Sequence, residues 1–263
     1  MDLGLKGRSA IVCAASSGLG YATAHELAAE GANVVICARG AERLERARRA
    51  IVAETGGKVH AVAADLATTT GIESVVEAAR REFGQVDILV NNTGGPPSGP
   101  FENLPWELWQ QQVDSLLRAT VEMTRQVLPD MRKRQWGRVL NVTSITVKQP
   151  VDGLMLSNAL RAGITGFART LATEVARDGV TVNCILPGFT RTERVERLHA
   201  ATAEREGVSV AEVGARTEAQ IPMGRIGEPR EFGALAAFLV SERASYITGQ
   251  SVAADGGWIR GLY

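Results

Sequence analysis

The sequence lacks net charge, because its 263 residues contain 29 Lys+Arg and 29 Asp+Glu. Nucleic-acid-binding domains concentrate positive charge, and anionic membrane surfaces attract it. The arginine-rich stretch at 39–50, RGAERLERARRA, alternates in sign, which indicates a solvated helix face. We therefore expect neither nucleic acid nor a membrane as a partner.

Long apolar runs and cysteine pairs are also missing. No apolar run approaches the roughly 18 residues that span a bilayer. The first residues, MDLGLKGRSAIV, lack the cationic and apolar blocks of a secretory signal, so none is expected. Cys13, Cys37 and Cys184 lie in apolar runs without metal-ligand or disulfide spacing. They predict buried thiols, no metal site and a reducing cytoplasm.

No linker rich in Gly, Ser or Pro divides the chain, and no repeat is present, so a single domain over 1–263 is predicted. Short β-branched runs alternate with longer helical patterns. The runs are RSAIVCA, NVVICA, KVHAVAA, QVDILVN, GRVLNVTS, VTVNCILP and GQSVAA. This alternation predicts parallel strands joined by right-handed crossovers. The expected fold class is α/β, a doubly wound, Rossmann-type sheet of about seven strands with helices on both faces.

One segment departs from the alternation. Residues 191–227 are charged and helical in pattern, and they lie between the sixth and seventh predicted strands. Because ligands bind beyond the carboxyl ends of parallel strands, a helical lid over a substrate pocket is expected here. A plain surface excursion is the alternative.

The first strand runs into CAASSGLGYATA, residues 13–24. Gly18 and Gly20 open the following helix, whose N–H groups and dipole favour a phosphate. A second strand follows about 20 residues later, as a dinucleotide-binding unit requires. The predicted cradle comprises Ala14, Ser16, Ser17, Gly18, Leu19 and Gly20.

The second strand ends in VVICARG. An acidic residue here would bind a ribose 2′-hydroxyl, whereas Arg39 suits a 2′-phosphate. NADP(H) is therefore expected over NAD(H), with a solvated arginine as the alternative interpretation.

Several further motifs carry a family resemblance over essentially the whole chain. They are SSGLG at 16–20, ADL at 64–66, NNTG at 91–94, Ser144, VNCILPGFTRT at 182–192, RIGEP at 225–229 and ITGQSVAADGG at 247–257. Together they resemble the short-chain dehydrogenase/reductase family, close to its 3-oxoacyl-carrier-protein reductase branch. The resemblance implies a dimer or tetramer acting on a small molecule.

The resemblance also implies roles for single residues. Asp65 and Leu66 would flank the adenine, whereas 91–94, with Asn91, Thr93 and Gly94, would support the ribose and the sheet. Pro187 to Thr192, with Gly188 and Thr190, would contact the nicotinamide carboxamide. The end of the chain would form a subunit contact.

Four positions depart from the family pattern. Its first glycine is Ala14, its helix asparagine falls on Leu116, its tyrosine on Ser157 and its lysine on Arg161. Leucine is expected to hold neither the helix bulge nor a relay water. The loop GGPP at 94–97 resembles a divergent subgroup that pairs it with an imperfect catalytic tetrad.

These departures bear directly on proton transfer. Carbonyl reduction needs a proton donor, and a serine lacks the acidity of a phenol. Arginine keeps its charge and cannot serve as a base. Ser144 could still orient a substrate oxygen, with a serine satisfied by its own loop as the alternative. Ser144, Ser157 and Arg161 are the candidate catalytic residues, Arg161 also holding the nicotinamide ribose.

Three residues could replace the missing donor: Lys148, His199 and Tyr263. None is favoured strongly over a solvated side chain. Two functions therefore remain open. The preferred one is an NADP(H)-dependent oxidoreductase on a small carbonyl or alcohol, and the other is a dinucleotide-binding sensor or scaffold without hydride transfer.

Overall fold

The fold is built on one parallel sheet, seen in a computed structural model that describes residues 1–262. Its strands are β1 (Ser9–Cys13), β2 (Asn33–Ala38), β3 (Val59–Ala63), β4 (Ile88–Asn91), β5 (Gly137–Val142), β6 (Val180–Pro187) and β7 (Ser251–Ala254). Their order across the sheet is β3-β2-β1-β4-β5-β6-β7, with every pairing parallel. The predicted seven-stranded, doubly wound α/β fold is confirmed.

Nine α-helices connect and cover these strands within the described residues. They are α1 (Gly18–Ala29), α2 (Ala41–Thr55), α3 (Thr69–Phe83), α4 (Trp106–Gln112), α5 (Ala119–Lys133), α6 (Met155–Val175), α7 (Glu193–Glu206), α8 (Val210–Gln220) and α9 (Pro229–Leu239). A π-helical segment, Val113–Arg118, joins α4 to α5, so the long helical stretch that these elements form contains a bulge.

The sequence analysis did not identify α9. Its signal was nevertheless present, because Glu228 and Glu231 form a capping box around Pro229 at the first helical position. That arrangement satisfies the free N–H groups at the helix start. The capping pattern was sufficient to predict the helix before β7.

Two apolar layers hold the helices onto the sheet. On one face, α1, α2 and α9 bury side chains such as Leu27, Ile51 and Phe232. On the other, α3, α5 and α6 bury side chains such as Val75 and Met123. Because both faces are covered, the strands are almost wholly apolar, as their sequences predicted.

The chain reverses direction across the sheet between β1 and β4. From β1 it runs outwards through β2 to β3, and from β4 it runs the other way through β5 and β6. The loops at the carboxyl ends of β1 and β4 therefore diverge and leave a crevice between them. This topology places a ligand site there.

Residues 191–227 hold α7 and α8 between β6 and β7, as the charge and helical pattern indicated. The two ends of the segment meet, because Thr190 and Gly227 form an isolated β-bridge and the Arg191 N–H donates to the Gly227 carbonyl at 2.8 Å. We call this segment the α7–α8 insertion. No helix within residues 1–262 has both the length and the apolarity to cross a membrane.

Candidate active site

A cleft of about 790 Å³ opens at the carboxyl ends of β1 to β6. Most of the predicted site residues line it, although they are scattered over nearly 180 positions of the chain. Those lining it are Ala14, Ser16, Ser17, Gly18, Leu19, Arg39, Asp65, Leu66, Thr93, Gly94, Ser144, Ser157, Arg161, Pro187, Gly188, Thr190 and Thr192.

Two predicted cofactor residues lie behind the wall of the cleft instead. A Cβ added to Gly20 would lie 2.3 Å from the Ala14 carbonyl oxygen, so this glycine lets α1 pack against the preceding turn. The Asn91 side chain donates to Thr124 Oγ1 at 3.1 Å and to Asn141 Oδ1 at 3.0 Å. Asn91 therefore links β4 to its neighbours, in keeping with the sheet-supporting part of its expected role.

The start of α1, where the sequence predicts a phosphate cradle, has free N–H groups. Its N-cap residue, Ser17, makes no capping hydrogen bond with its side chain, and no acidic residue occupies the first turn. The first N–H groups therefore remain available to an anion. Gly18 has a φ of +56°, and a Cβ there would lie 3.4 Å from the Thr192 methyl group, so a side chain would narrow the cradle.

The turn before α1 carries strain. Ala14 replaces a glycine of the family pattern and adopts a φ of +50°, in the left-handed region that disfavours a Cβ. The turn nevertheless keeps the geometry that opens the cradle. The alanine therefore costs free energy without closing the site.

The far end of the cleft lies beyond β2. Arg39 is exposed there and forms no ion pair with any residue of 1–262. Arg43, at the start of α2, pairs instead with Glu193 of α7. This pair connects α2 to the α7–α8 insertion across the cleft mouth.

The three candidate catalytic residues come together on β5 and α6. Ser144 follows β5, and its Oγ accepts a hydrogen bond from the Thr146 N–H at 3.1 Å. Ser157 and Arg161, one turn apart on α6, are 7% and 6% exposed. The alternative interpretation, a serine satisfied by its own loop, is therefore met in part. The Ser144 oxygen accepts from the loop, but its hydroxyl proton remains free to donate.

Arg161 is a cation buried with little compensation. Its Nη1 donates to the Val142 carbonyl at 2.6 Å, and it has no ion pair within residues 1–262. Burial, and secondarily the nearby charge of Arg194, lowers the pKa of Arg161 from its ordinary value to about 10. The guanidinium therefore stays charged near neutral pH and cannot act as a base.

Comparisons with known proteins agree with this architecture. A family model described as enoyl-(acyl carrier protein) reductase matches residues 13–259. The chain is 36% identical to the D-beta-hydroxybutyrate dehydrogenase of Cupriavidus necator, over 97% of this chain and 99% of that protein. It is 34% identical to the 3-oxoacyl-[acyl-carrier-protein] reductase of Escherichia coli, over 97% and 98%.

A solved structure is similar over the full length of both chains. It is the L-sorbose reductase of Gluconobacter frateurii in complex with NADPH and L-sorbose, at a TM-score of 0.94 and 35% identity. The chain belongs to the short-chain dehydrogenase/reductase family. The resemblance that the sequence motifs indicated is confirmed.

Leu116 corrects one expectation drawn from the family pattern. This leucine was expected to be unable to hold a helix bulge, yet it lies inside the π-helical segment Val113–Arg118. Leu116 is fully buried and packs with Leu160 and Ile164 of α6. The bulge is therefore present with a buried, apolar side chain at this position.

None of the three substitute donors joins the cleft within the described residues. Lys148 is exposed and does not line it. His199 packs inside the α7–α8 insertion, 3.1 Å from Thr217 Oγ1, where burial lowers its pKa despite the opposing charge of Glu218. Tyr263 lies outside the described residues. The described cleft lining contains no tyrosine, histidine or lysine.

Arg194 is the functional candidate that the sequence analysis missed. It lies in the first turn of α7, lines the cleft, and has a pKa lowered by burial and by Arg197. Its position in a charged helix resembles that of a solvated arginine. Only the cross-cleft contact with the loop after β4 distinguishes it.

Proposed function

We propose that this member of the short-chain dehydrogenase/reductase family is an NADP(H)-dependent oxidoreductase acting on a small carbonyl or alcohol. The observation that carries the proposal is the continuity of one cleft. The cradle at Gly18, the cation at Arg39 and the hydroxyl of Ser144 all line it, together with Pro187 and Thr192. A protein that bound only adenine and phosphate would have no need of the last three.

The residues present fit a dinucleotide with a 2′-phosphate. The uncapped start of α1 offers N–H groups to a pyrophosphate, and the missing side chain of Gly18 leaves room for it. Arg39 has no carboxylate partner in residues 1–262 that would compete with a 2′-phosphate. The L-sorbose reductase that is similar over its full length was solved with NADPH.

When bound, the nicotinamide would supply or accept the hydride. The protein's own contribution would be positioning. The Ser144 hydroxyl would donate to the substrate oxygen, because its oxygen accepts from the Thr146 N–H while its proton has no acceptor among the described residues. Arg161 would hold the nicotinamide ribose and stabilise developing negative charge. Because Ser157 lacks phenolic acidity, water would deliver the proton.

A specific observation favours the alternative of a catalytically silent binder. Leu116, Leu160 and Ile164 form an apolar cluster beside Ser157 and Arg161, where the family resemblance implies a polar relay. A protein that moved no proton would tolerate this packing. We nevertheless prefer redox chemistry, because the residues expected to contact the nicotinamide, such as Pro187 and Thr192, line the cleft.

We also propose that the chain forms a single domain, that the α7–α8 insertion acts as a lid, and that copies of the chain assemble into a dimer or tetramer. The Arg43–Glu193 pair supports the lid, because it connects the insertion to α2 across the cleft mouth.

The position of β7 at the sheet edge and the exposure of Tyr246 support assembly. Three free thiols support a reducing, cytoplasmic location.

The first experiment is a fluorescence titration with NADPH and with NADH, followed by absorbance measurements with a panel of ketones. We expect NADPH to bind about tenfold more tightly than NADH, because Arg39 has only a 2′-phosphate to pair with. Slow turnover should fall about 100-fold in Ser144→Ala without a comparable change in NADPH affinity.

The outcomes separate the two functions. NADPH binding without turnover of any ketone would support the sensor or scaffold. Turnover unchanged in Ser144→Ala would remove Ser144 from the chemistry. Absence of binding to either nucleotide would contradict both functions.

A further inference from the structure

Arg194 spans the cleft from the insertion to the loop after β4. Its Nη2 donates to the Pro96 carbonyl at 2.6 Å. A Cβ added to Gly95 would lie 2.6 Å from Arg194 Nε, so the missing side chain of Gly95 makes room for the guanidinium. The Gly-Gly-Pro-Pro loop and Arg194 are therefore matched in shape.

Arg194 and Arg161 place two cations in the same part of the cleft. Each lacks an ion pair within residues 1–262, and burial lowers the pKa of both. Arg194 also lowers the pKa of Arg161, which shows that the two charges repel each other. Each guanidinium carries five donors, and each donates one hydrogen bond to a described residue. An anion between them would relieve the repulsion and use the remaining donors.

The carboxylates that line the cleft are engaged elsewhere. Glu193 pairs with Arg43 and lies 4.0 Å from Arg197. Asp65 accepts a hydrogen bond from the Ala67 N–H. It follows β3, four strands from β5, which is about 19 Å at the usual strand spacing. Neither carboxylate neutralises the pair of arginines.

Other parts of the cleft would bind the phosphates of the proposed cofactor. A 2′-phosphate would lie beyond β2, beside Arg39, and a pyrophosphate at the start of α1. Arg161 and Arg194 instead donate to carbonyls at the end of β5 and in the loop after β4. The cleft wall also includes apolar residues, among them Pro97, Leu154, Val195 and Leu198.

We propose that the substrate carries a carboxylate, and that Arg194 binds this carboxylate with Arg161 beside it. The planar fork of an arginine matches a carboxylate in geometry as well as charge. The apolar wall would accommodate a short aliphatic body. This inference rests on the proposed function, since it names the substrate class of the same cleft.

The test is an equilibrium measurement that needs no turnover. The full-length protein, with and without saturating NADP⁺, is titrated calorimetrically with acetate, butanoate and hexanoate, each compared with its primary amide. We expect at least one acid to bind about tenfold more tightly than its amide. Arg194→Gln should reduce that ratio to about twofold or less while the NADP⁺ affinity stays within about twofold.

Two variants separate charge from position. Gly95→Ala keeps every charge but displaces the Arg194 guanidinium, so it should also reduce the preference for the acid. Arg205→Gln is the matched control, because Arg205 also belongs to α7, lies outside the cleft lining and pairs with Glu206. It should leave the ratio unchanged, and thermal melts should show that all three variants are folded.

Equal binding of all acids and amides, or no binding of either, would overturn the proposal. So would an Arg194→Gln variant that loses NADP⁺ affinity while it retains the acid preference, because the arginine would then serve the cofactor. Failure of the proposed function has a different signature: NADP⁺ does not bind, whereas the acid preference without the nucleotide is still measurable.

Discussion

Two residues of the cleft, Ala14 and Arg161, lower the stability of the folded protein. Ala14 holds a left-handed backbone conformation, and Arg161 buries a charge without a carboxylate partner in residues 1–262. Both positions border the cleft. Backbone strain and unpaired charge of this kind are typical of functional sites, where a bound ligand offsets their free-energy cost.

Ala14→Gly should stabilise the protein. Glycine relieves a left-handed conformation that costs an alanine about 1 kcal/mol, although it also loosens the unfolded chain. We expect a net gain of about 0.5 kcal/mol and a rise in Tm of about 1 to 2 °C. The neighbouring Ala15→Gly should instead lower the Tm, because Ala15 is fully buried and has no positive φ. A lower Tm in Ala14→Gly would show that the turn carries no strain.

Arg161→Met should raise stability and abolish function. Burial lowers the pKa of Arg161 from its ordinary value to about 10, so the folded state disfavours the charged form. The resulting cost, about 3 kcal/mol, is complete below pH 10 and disappears as the pH rises from there towards the ordinary pKa of an arginine. Methionine removes this cost but leaves the Val142 carbonyl without its donor, so we expect a net gain of about 1 kcal/mol.

The measurement is urea denaturation of the nucleotide-free protein at neutral pH, beside an NADPH titration. The gain in unfolding free energy should accompany a loss of NADPH affinity of about tenfold or more. A destabilised Arg161→Met that still binds NADPH would show that Arg161 is a structural residue.

Among the secondary-structure elements, the α7–α8 insertion is the one whose packing depends on pH. His199 of α7 contacts Thr217 of α8, and burial lowers its pKa below 6.5, only partly offset by Glu218. The folded insertion therefore favours the neutral imidazole. The contact is fully effective above pH 6.5 and weakens as the pH falls through the lowered pKa.

Amide hydrogen exchange can follow this change. After correction for intrinsic rates, α7 and α8 should be less protected at about pH 5.5 than at about pH 7.5, whereas the strands should be unchanged. His199→Gln cannot titrate and should show no pH-dependent loss. Equal protection of the wild-type insertion at both pH values would contradict the assignment.

At the scale of the whole molecule, the sheet has two edge strands, β3 and β7, each paired on one side only. β7 pairs with β6 on one side, and its residues are only partly buried. Tyr246, shortly before β7, is fully exposed, and most of the Met223 side chain is exposed as well. Open strand edges and exposed large side chains are usually covered in a stable assembly.

Sedimentation equilibrium should therefore give about two or four times the chain mass of 28.0 kDa. Tyr246→Asp should shift the distribution towards the monomer, because it introduces charge into the proposed interface. Lys58→Glu, an exposed change beside β3 at the opposite edge, should leave the mass unchanged. A monomeric wild-type mass would refute the assembly.

Local patterns were sufficient to predict the sheet and the family, and they are the basis on which the phosphate cradle is proposed. Alternating β-branched and helical runs depend on short-range periodicity, and SSGLG combines its glycines with the strand before it and the helix after it. The same reasoning missed α9, although its capping box was visible in the sequence.

Other features depend on contacts between distant parts of the chain. A leucine at 116 predicted the loss of the bulge, but packing against Leu160 and Ile164, more than 40 residues away, retains it. Arg194 was one arginine among many in a charged helix until the fold placed it on Gly95 and near Arg161. Residue type and spacing record local preference, whereas burial and the proximity of charges arise only when the chain folds.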